Sequence, residues 1–450
     1  DWRTRLDIGV SGGPGIDDGL FVVGSRNGRV VALRAPDGDT RWRQQLSSEV
    51  LAVPAVGSAN VFVRTADGRL HALARESGRE RWTHEGEVPA LALRGTGDPV
   101  LADDYVLAGF DDGELKALSR TSGEVAWSVT VSEPRGSADM DRVRDVDATP
   151  VVRDETVYSV GYRGQLLAVS LADGSVAWDR DLSSNAGLDV GSERVYISGE
   201  NGVITAVDRR TGSLIWQQKD TEGLRPSAPA HQGDFLVFGD ERGRVTVLDA
   251  EQGYAKRTTK SFDAPVLSVA FSPDGAYVAA GAENGAARIF DVAADFEEAH
   301  SYQHEVGVDT MDISPDAQYL APGAQVGGQT AGMKLVELGF FEEVFSTSHQ
   351  YEVAHAGFSP DGRYLTAGGR NGTVFFIDTA NDFAQVDRYV HVAETKTLRL
   401  QSYPPPGRLQ DLSCNLHGVL GLFGRINLVR CTIGQAIGVA GRDVVLVENG

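Results

Sequence analysis

Four places in the 450-residue sequence bring together side chains that could do chemistry. Gly9-Val10-Ser11-Gly12-Gly13 has the spacing of a nucleophile elbow, in which a sharp turn presents a serine. Asp145-Val146-Asp147-Ala148-Thr149 sets two carboxylates two residues apart, and on a strand such a pair could hold magnesium and attack phosphorus. His300 and His304 are four apart, so on a helix they would share a face and could hold a metal. Cys414 and Cys431 complete the set, either as a disulfide in an oxidising compartment or as buried thiols. Each reading depends on its scaffold. The elbow needs a strand-turn-helix corner on an α/β sheet, the carboxylate pair a parallel sheet flanked by helices, and the histidine pair a helix.

The elements that must supply those scaffolds follow a repeat. Trp42, Trp82, Trp127, Trp178 and Trp216 each close the same phrase, with a glycine four residues earlier (Gly38, Gly78, Gly123, Gly174, Gly212). A second glycine stands 14 residues before each tryptophan, at Gly28, Gly68, Gly113, Gly164 and Gly202. Short apolar runs such as Leu20-Phe21-Val22-Val23 lie between these turns, and Asn-Gly or Asp-Gly pairs joining alternating apolar runs are strong hairpin signals. Evenly spaced strands with no helical period predict an all-β protein, a β-propeller of repeated four-stranded blades with the tryptophan packed between neighbours. The phrase continues once more through Gly243 and Gly253, where Arg257 is expected in place of tryptophan. None of the three scaffolds that catalysis would need is offered. Ser11 reads as part of a glycine-rich blade entry, and the acidic neighbours of His300 and His304 describe an exposed connection between blades.

Beyond residue 260 the phrase changes to Phe271-Ser272-Pro273-Asp274-Gly275, Ile313-Ser314-Pro315-Asp316 and Phe358-Ser359-Pro360-Asp361-Gly362. This is similar to degenerate WD-repeat blades, in which the Ser-Pro-Asp-Gly turn joins two inner strands. Two parts are therefore expected, residues 1–258 and 259–450. The countable units imply eight to ten blades, in one large ring or in one ring with a partial second. Trp2 ends an outer strand without upstream partners, and strands from the C-terminal part could supply them to close a ring. Pro404-Pro405-Pro406 interrupts any strand there, and residues 440–447 read again as turn plus strand.

The formal net charge is −21, and such a surface repels phosphate backbones, so nucleic acid is not an expected partner. No apolar run approaches the roughly 20 residues of a membrane-spanning helix. Membrane attachment is expected only through a lipid anchor, which this sequence does not contain.

The tryptophan repeat resembles that of quinone-cofactor dehydrogenases. Those enzymes also use a vicinal cysteine pair and a calcium held by carboxylate and amide groups. The two cysteines here lie far apart and outside the repeats, so no cofactor and no catalytic residue are expected. Two connections are more specific: Pro89-Ala90-Leu91-Ala92-Leu93-Arg94-Gly95, and Gly136 to Pro150 with Asp141-Arg142-Val143-Arg144-Asp145-Val146-Asp147-Ala148-Thr149. Their Leu-x-Leu-Arg-Gly and Asp-Arg-x-x-Asp-Val-Asp-x-Thr-Pro phrases resemble the BamB family, propeller lipoproteins of the outer-membrane β-barrel assembly machinery, over about residues 1–255. The resemblance implies a non-enzymatic scaffold on the periplasmic face of the outer membrane. It also implies that Leu91, Leu93, Arg94, Asp145 and Asp147 grip a POTRA domain of the barrel-inserting subunit. The leucines would supply apolar contact, and the charges would set register. Two alternatives stay open: a propeller interaction module with another partner, or a quinone-dependent dehydrogenase. Leu91 and Leu93 could equally be strand residues, with Arg94 paired to Asp145 or Asp147 within the chain.

Overall fold

The computed structural model describes residues 2–35, 37–87, 97–132, 146, 148–184, 186–304, 307–324, 331–349, 353–359, 361–369, 373–379, 412–420, 425–433 and 444–446. They form nine four-stranded antiparallel blades arranged as a β-propeller, with no helix among the described residues. Blade 1 consists of β2 (Val10–Asp17), β3 (Leu20–Ser25), β4 (Arg29–Arg34) and β5 (Thr40–Gln45), each hydrogen-bonded to the next. Blades 2 to 8 repeat this order over residues 55–85, 100–130, 151–180, 188–218, 230–261, 266–303 and 308–349.

Blade 9 contains three strands from residues 353–378, and its fourth is β1 (Trp2–Arg5), which pairs with the strand Thr373–Asp378. The N-terminal strand thus completes the ninth blade instead of belonging to a tenth. A core of Leu6, Ile8, Val10, Phe21, Val31 and Val374 seals the junction between blades 9 and 1. The ring is therefore single and closed, with blade 9 packed against blade 1. A further three-stranded sheet is formed by Leu412–Leu420, Arg425–Ile433 and Val444–Leu446, with Cys414 opposite Cys431 in backbone register. The proline triplet lies outside the described residues.

Four of the repeat tryptophans bond directly to the next blade. Trp42 Nε1–H donates to the Arg75 carbonyl of the next blade at 2.7 Å, Trp127 to Leu171 at 2.8 Å, Trp178 to Arg209 at 2.9 Å and Trp82 to Arg120 at 3.3 Å. The glycine four residues before the next tryptophan lies under that ring. A Cβ on Gly78 would sit 2.5 Å from the Trp42 indole, one on Gly123 2.5 Å from Trp82, and one on Gly212 2.6 Å from Trp178. Each of these glycines also has positive φ, so any side chain there would be strained as well as crowded. The regular spacing of glycine and tryptophan is thus one contact, with the two residues drawn from neighbouring blades.

The later blades fill the same interface from the other side. In blade 1, Ala32 faces Trp42 and Leu33 faces Thr40, whereas in blade 6 Val247 faces Thr258 and Leu248 faces Lys256. The turn before the fourth strand is one residue longer in blade 6, so Thr258 occupies the tryptophan position. Arg257, expected there, instead pairs with Asp295 at 2.7 Å on the surface. The inserted residue is a positive-φ aromatic: Tyr254, then Phe296 and Phe341 in blades 7 and 8. These side chains reach back to the preceding blade. Tyr254 stacks on Trp216 at 4.4 Å, Phe296 meets Phe235 edge-on at 5.0 Å, and Phe341 packs on His300 and Tyr277. At the change of phrase both blades contribute an aromatic ring.

The three Ser-Pro-Asp turns do join the first and second strands of blades 7, 8 and 9. In each, the serine hydroxyl donates to the aspartate and accepts from a backbone N–H five residues on, as in Ser272–Asp274 at 2.6 Å and Tyr277 N–Ser272 at 2.9 Å.

Crowding under the tryptophans makes the glycines unequal. Gly123→Ala should destabilise by the backbone strain plus overpacking, about 1–3 kcal/mol beyond the strain alone. Gly253→Ala, also at positive φ but with open space around it, should cost only the backbone term of about 1–2 kcal/mol. Denaturant midpoints of the two variants measure the difference.

Candidate protein-interaction face

In each four-stranded blade the connection to the next blade and the turn between the second and third strands lie on the same rim of the ring, because the strands alternate in direction. The two connections singled out in the sequence, between blades 2 and 3 and between blades 3 and 4, therefore share that rim. Leu91, Leu93, Arg94, Asp145 and Asp147 lie outside the described residues, but the segments that lead into and out of them are described.

The first connection leaves over a buried polar cluster. A Cβ on Gly86, just before it, would lie 2.5 Å from Phe110. Beneath, Arg64 is 1% exposed and pairs with Asp111 at 2.7 Å, with its guanidinium 5.2 Å from the Phe110 ring centre. Lys116 lies over the same ring at 4.9 Å and pairs with Asp112 at 2.8 Å. Burial raises the Asp111 pKa above the ordinary carboxylate value, although Arg64 opposes it. Burial works against the Lys116 ammonium, but Asp112 and then Glu114 outweigh it and raise its pKa. Removing one member of such a buried pair strands a charge, so this cluster holds the blade 2–blade 3 rim in one arrangement.

The second connection is anchored at Val146, which is 1% exposed and packs with Leu107, Leu115 and Val157 in the core between blades 3 and 4. It fills the space left by Gly109, where a Cβ would lie 2.3 Å from the Val146 carbonyl oxygen. The same knob recurs at Gly24 with Val50, Gly239 with Val266 and Gly281 with Val308. Val146 is therefore a repeat position of the fold, set between two carboxylates that the repeat does not require.

Where both connections re-enter the sheet they meet. Asp98 N–H donates to Thr149 Oγ1 at 3.1 Å, and Asp98 Oδ1 accepts from Val53 N–H at 2.7 Å. Burial raises the Asp98 pKa, and the bond from Val53 only partly offsets this. Asp98 did not stand out in the sequence, since its partners Val53 and Thr149 lie about 50 residues away.

The remaining candidates are not assembled for catalysis. Ser11 lies on β2, not at a strand-turn-helix corner, and its hydroxyl donates to the Val50 carbonyl at 2.7 Å. His300 and His304 do not share a helix, nor do they form an exposed connection. His300 is on the strand Glu297–Gln303 and packs against Tyr302 and Phe341, while His304 is buried. Periodicity four was the wrong guide there because the segment alternates as a strand. Among the described residues no three His, Cys, Asp or Glu side chains lie together as a metal site. A cavity of about 760 Å³ is lined by Tyr162, Glu200, Arg225, Ser227 and Leu267, drawn from blades 4 to 7.

Raised carboxylates fix a sign for pH dependence. A folded pKa above the unfolded value means that the Asp98 contribution is fully present below about pH 4 and is lost as pH rises through the folded value. Asp98→Asn keeps an oxygen for Val53 without the buried charge. Its melting temperature should therefore gain on wild type as pH rises from 5 to 8, and the gap should narrow towards acid; melting curves across that range check it.

The family model described as outer membrane protein assembly factor BamB matches residues 1–218 and 200–339, and the model of the WD domain, G-beta repeat, matches 342–378. The first match continues well past residue 255, where the sequence phrases stop carrying the resemblance. BamB of Kangiella koreensis is 38% identical over 252 residues, which is 56% of this chain and 65% of that protein. BamB of Alteromonas naphthalenivorans is 39% identical over 173 residues, 38% of this chain and 41% of that protein. The chain thus spans less than two thirds of the length of these relatives. The crystal structure of BamB from Moraxella catarrhalis is similar at a TM-score of 0.54 and 29% identity, covering 64% of this chain and 83% of that one. A europium-containing methanol dehydrogenase, at a TM-score of 0.54 and 14% identity over 73% of this chain and 85% of its own, shares the fold alone. The family match runs from the first strand into the eighth blade, over more than half of the sequence, and the chain belongs to the outer membrane protein assembly factor BamB family.

Proposed function

We propose that this chain is a non-enzymatic scaffold of outer-membrane protein assembly that works on the periplasmic face of that membrane. In this reading it binds a POTRA domain of the barrel-inserting subunit through the two connections of blades 2 to 4. The observation that carries this is the tie between their roots. Asp98 at the end of one bonds Thr149 at the end of the other, so the segment bearing Leu91, Leu93 and Arg94 and the one bearing Asp145 and Asp147 run into one spot on the rim. Family membership supports the role, since the relatives are named as assembly factors. Residues 1–258 would carry the binding role, and residues 259–450 would contain the blades that close the ring.

The chemistry suits a protein partner. Two leucines offer apolar area, and an arginine and two carboxylates offer charge-assisted bonds that fix orientation. Arg94→Ala and Asp147→Ala should each weaken POTRA binding with unchanged melting. Truncating one member of a buried interface charge pair costs about 2–5 kcal/mol, which corresponds to roughly thirtyfold or more in affinity. Leu93→Ala should weaken binding with little change in salt dependence. Titration calorimetry and melting on the same proteins decide it: variants that melt early and bind only as well as they fold would assign these residues to the fold. Pyrroloquinoline quinone with calcium should leave the melting temperature unchanged, and a saturable rise would revive the dehydrogenase reading.

A further inference from the structure

We infer that Asp98 and Thr149 are positioning residues which hold the two connections at a fixed spacing and thereby set partner affinity. This rests on the reading of the two connections as the binding face, and it concerns residues that make no part of the grip itself.

Val53, Asp98 and Thr149 are equivalent positions in three successive blades. Each is followed by a buried proline (Pro54, Pro99, Pro150), and each proline is followed by the first residue of an inner strand, at Ala55, Val100 and Val151. A residue before proline is confined to extended backbone, so each of the three N–H groups has a preset direction. They form a relay: Val53 N–H donates to the Asp98 carboxylate, and Asp98 N–H donates to the Thr149 hydroxyl. Each bond uses the backbone of one blade and the side-chain oxygen of the next. At the corresponding position before blade 6, ahead of Pro229 and the strand Ala230–Gln232, stands Ala228, which has no such oxygen. Oxygen-bearing side chains thus occupy this position at the ends of the two specific connections.

Ordinary blade cohesion does not need the relay. The blade 3–blade 4 interface already has Val146 in its core and the Trp127 bond to Leu171. Thr149 is exposed, so its hydroxyl contributes little to folding. What the relay adds is a defined distance between two connections that must meet one partner, and losing such preorganisation appears as affinity.

The test measures POTRA binding by titration calorimetry on the full chain. Thr149→Val should reduce affinity roughly three- to tenfold, about what the loss of one hydrogen bond removes, with unchanged melting. Thr149→Ser should restore it. Asp98→Asn, which keeps both partners, should bind like wild type. In a cycle with Arg94→Ala and Asp147→Ala, the coupling between those two should shrink in the Thr149→Val background, a result that a merely structural role for Thr149 would not give. If Arg94→Ala and Asp147→Ala weaken binding while Thr149→Val binds normally with intact coupling, the positioning role is overturned and the binding face stands. If Arg94→Ala and Asp147→Ala themselves bind normally, the face is wrong, and the positioning role falls with it.

Discussion

From the junction of blades 1 and 2 to that of blades 7 and 8, the ring depends on aromatic side chains set between neighbouring blades. A four-stranded blade cannot bury both of its faces alone, and the space between two twisted sheets must be filled at the density of a protein core. In the early blades an indole enters from the fourth strand and the facing turn carries glycine. In the later blades the turn carries the aromatic, and the strand carries Thr258 or His300. The two phrases of the sequence are thus two ways of filling one volume. The junction of blades 5 and 6, where Trp216 stacks on Tyr254, lets them meet without a gap.

Ring closure follows from the same requirement. Because the junctions are filled, the rim that carries the two specific connections sits on a packed frame, and those connections can depart from the repeat without cost to the frame. The frame reaches into them at fixed points, Gly86 on Phe110 and Val146 on Gly109.

Much of the fold was legible because its grammar is local. Glycine turns, alternating apolar runs and the recurring tryptophan each report on a few neighbouring residues, and a repeat multiplies the signal. The inner-strand turns of the later blades and closure by the N-terminal strand were legible for that reason. Relations across the interface were not. Arg257 looked like the tryptophan substitute because counting from Gly253 gives four residues, but the inserted Tyr254 shifts the register and puts Thr258 there. His300 and His304 suggested a helical pair because spacing alone does not distinguish a strand. Asp98 was invisible, since its partners lie at Val53 and Thr149. The specific connections themselves were legible as departures from the repeat.

Hydrogen–deuterium exchange of the chain with and without a POTRA domain tests the central claim most directly, because it reads the whole ring at once. The account predicts new protection concentrated in peptides covering residues 88–99 and 133–150, with the outer strands of blades 5 to 8 unchanged. Protection confined to those outer strands, or to the cavity that Glu200 and Arg225 line, would contradict it.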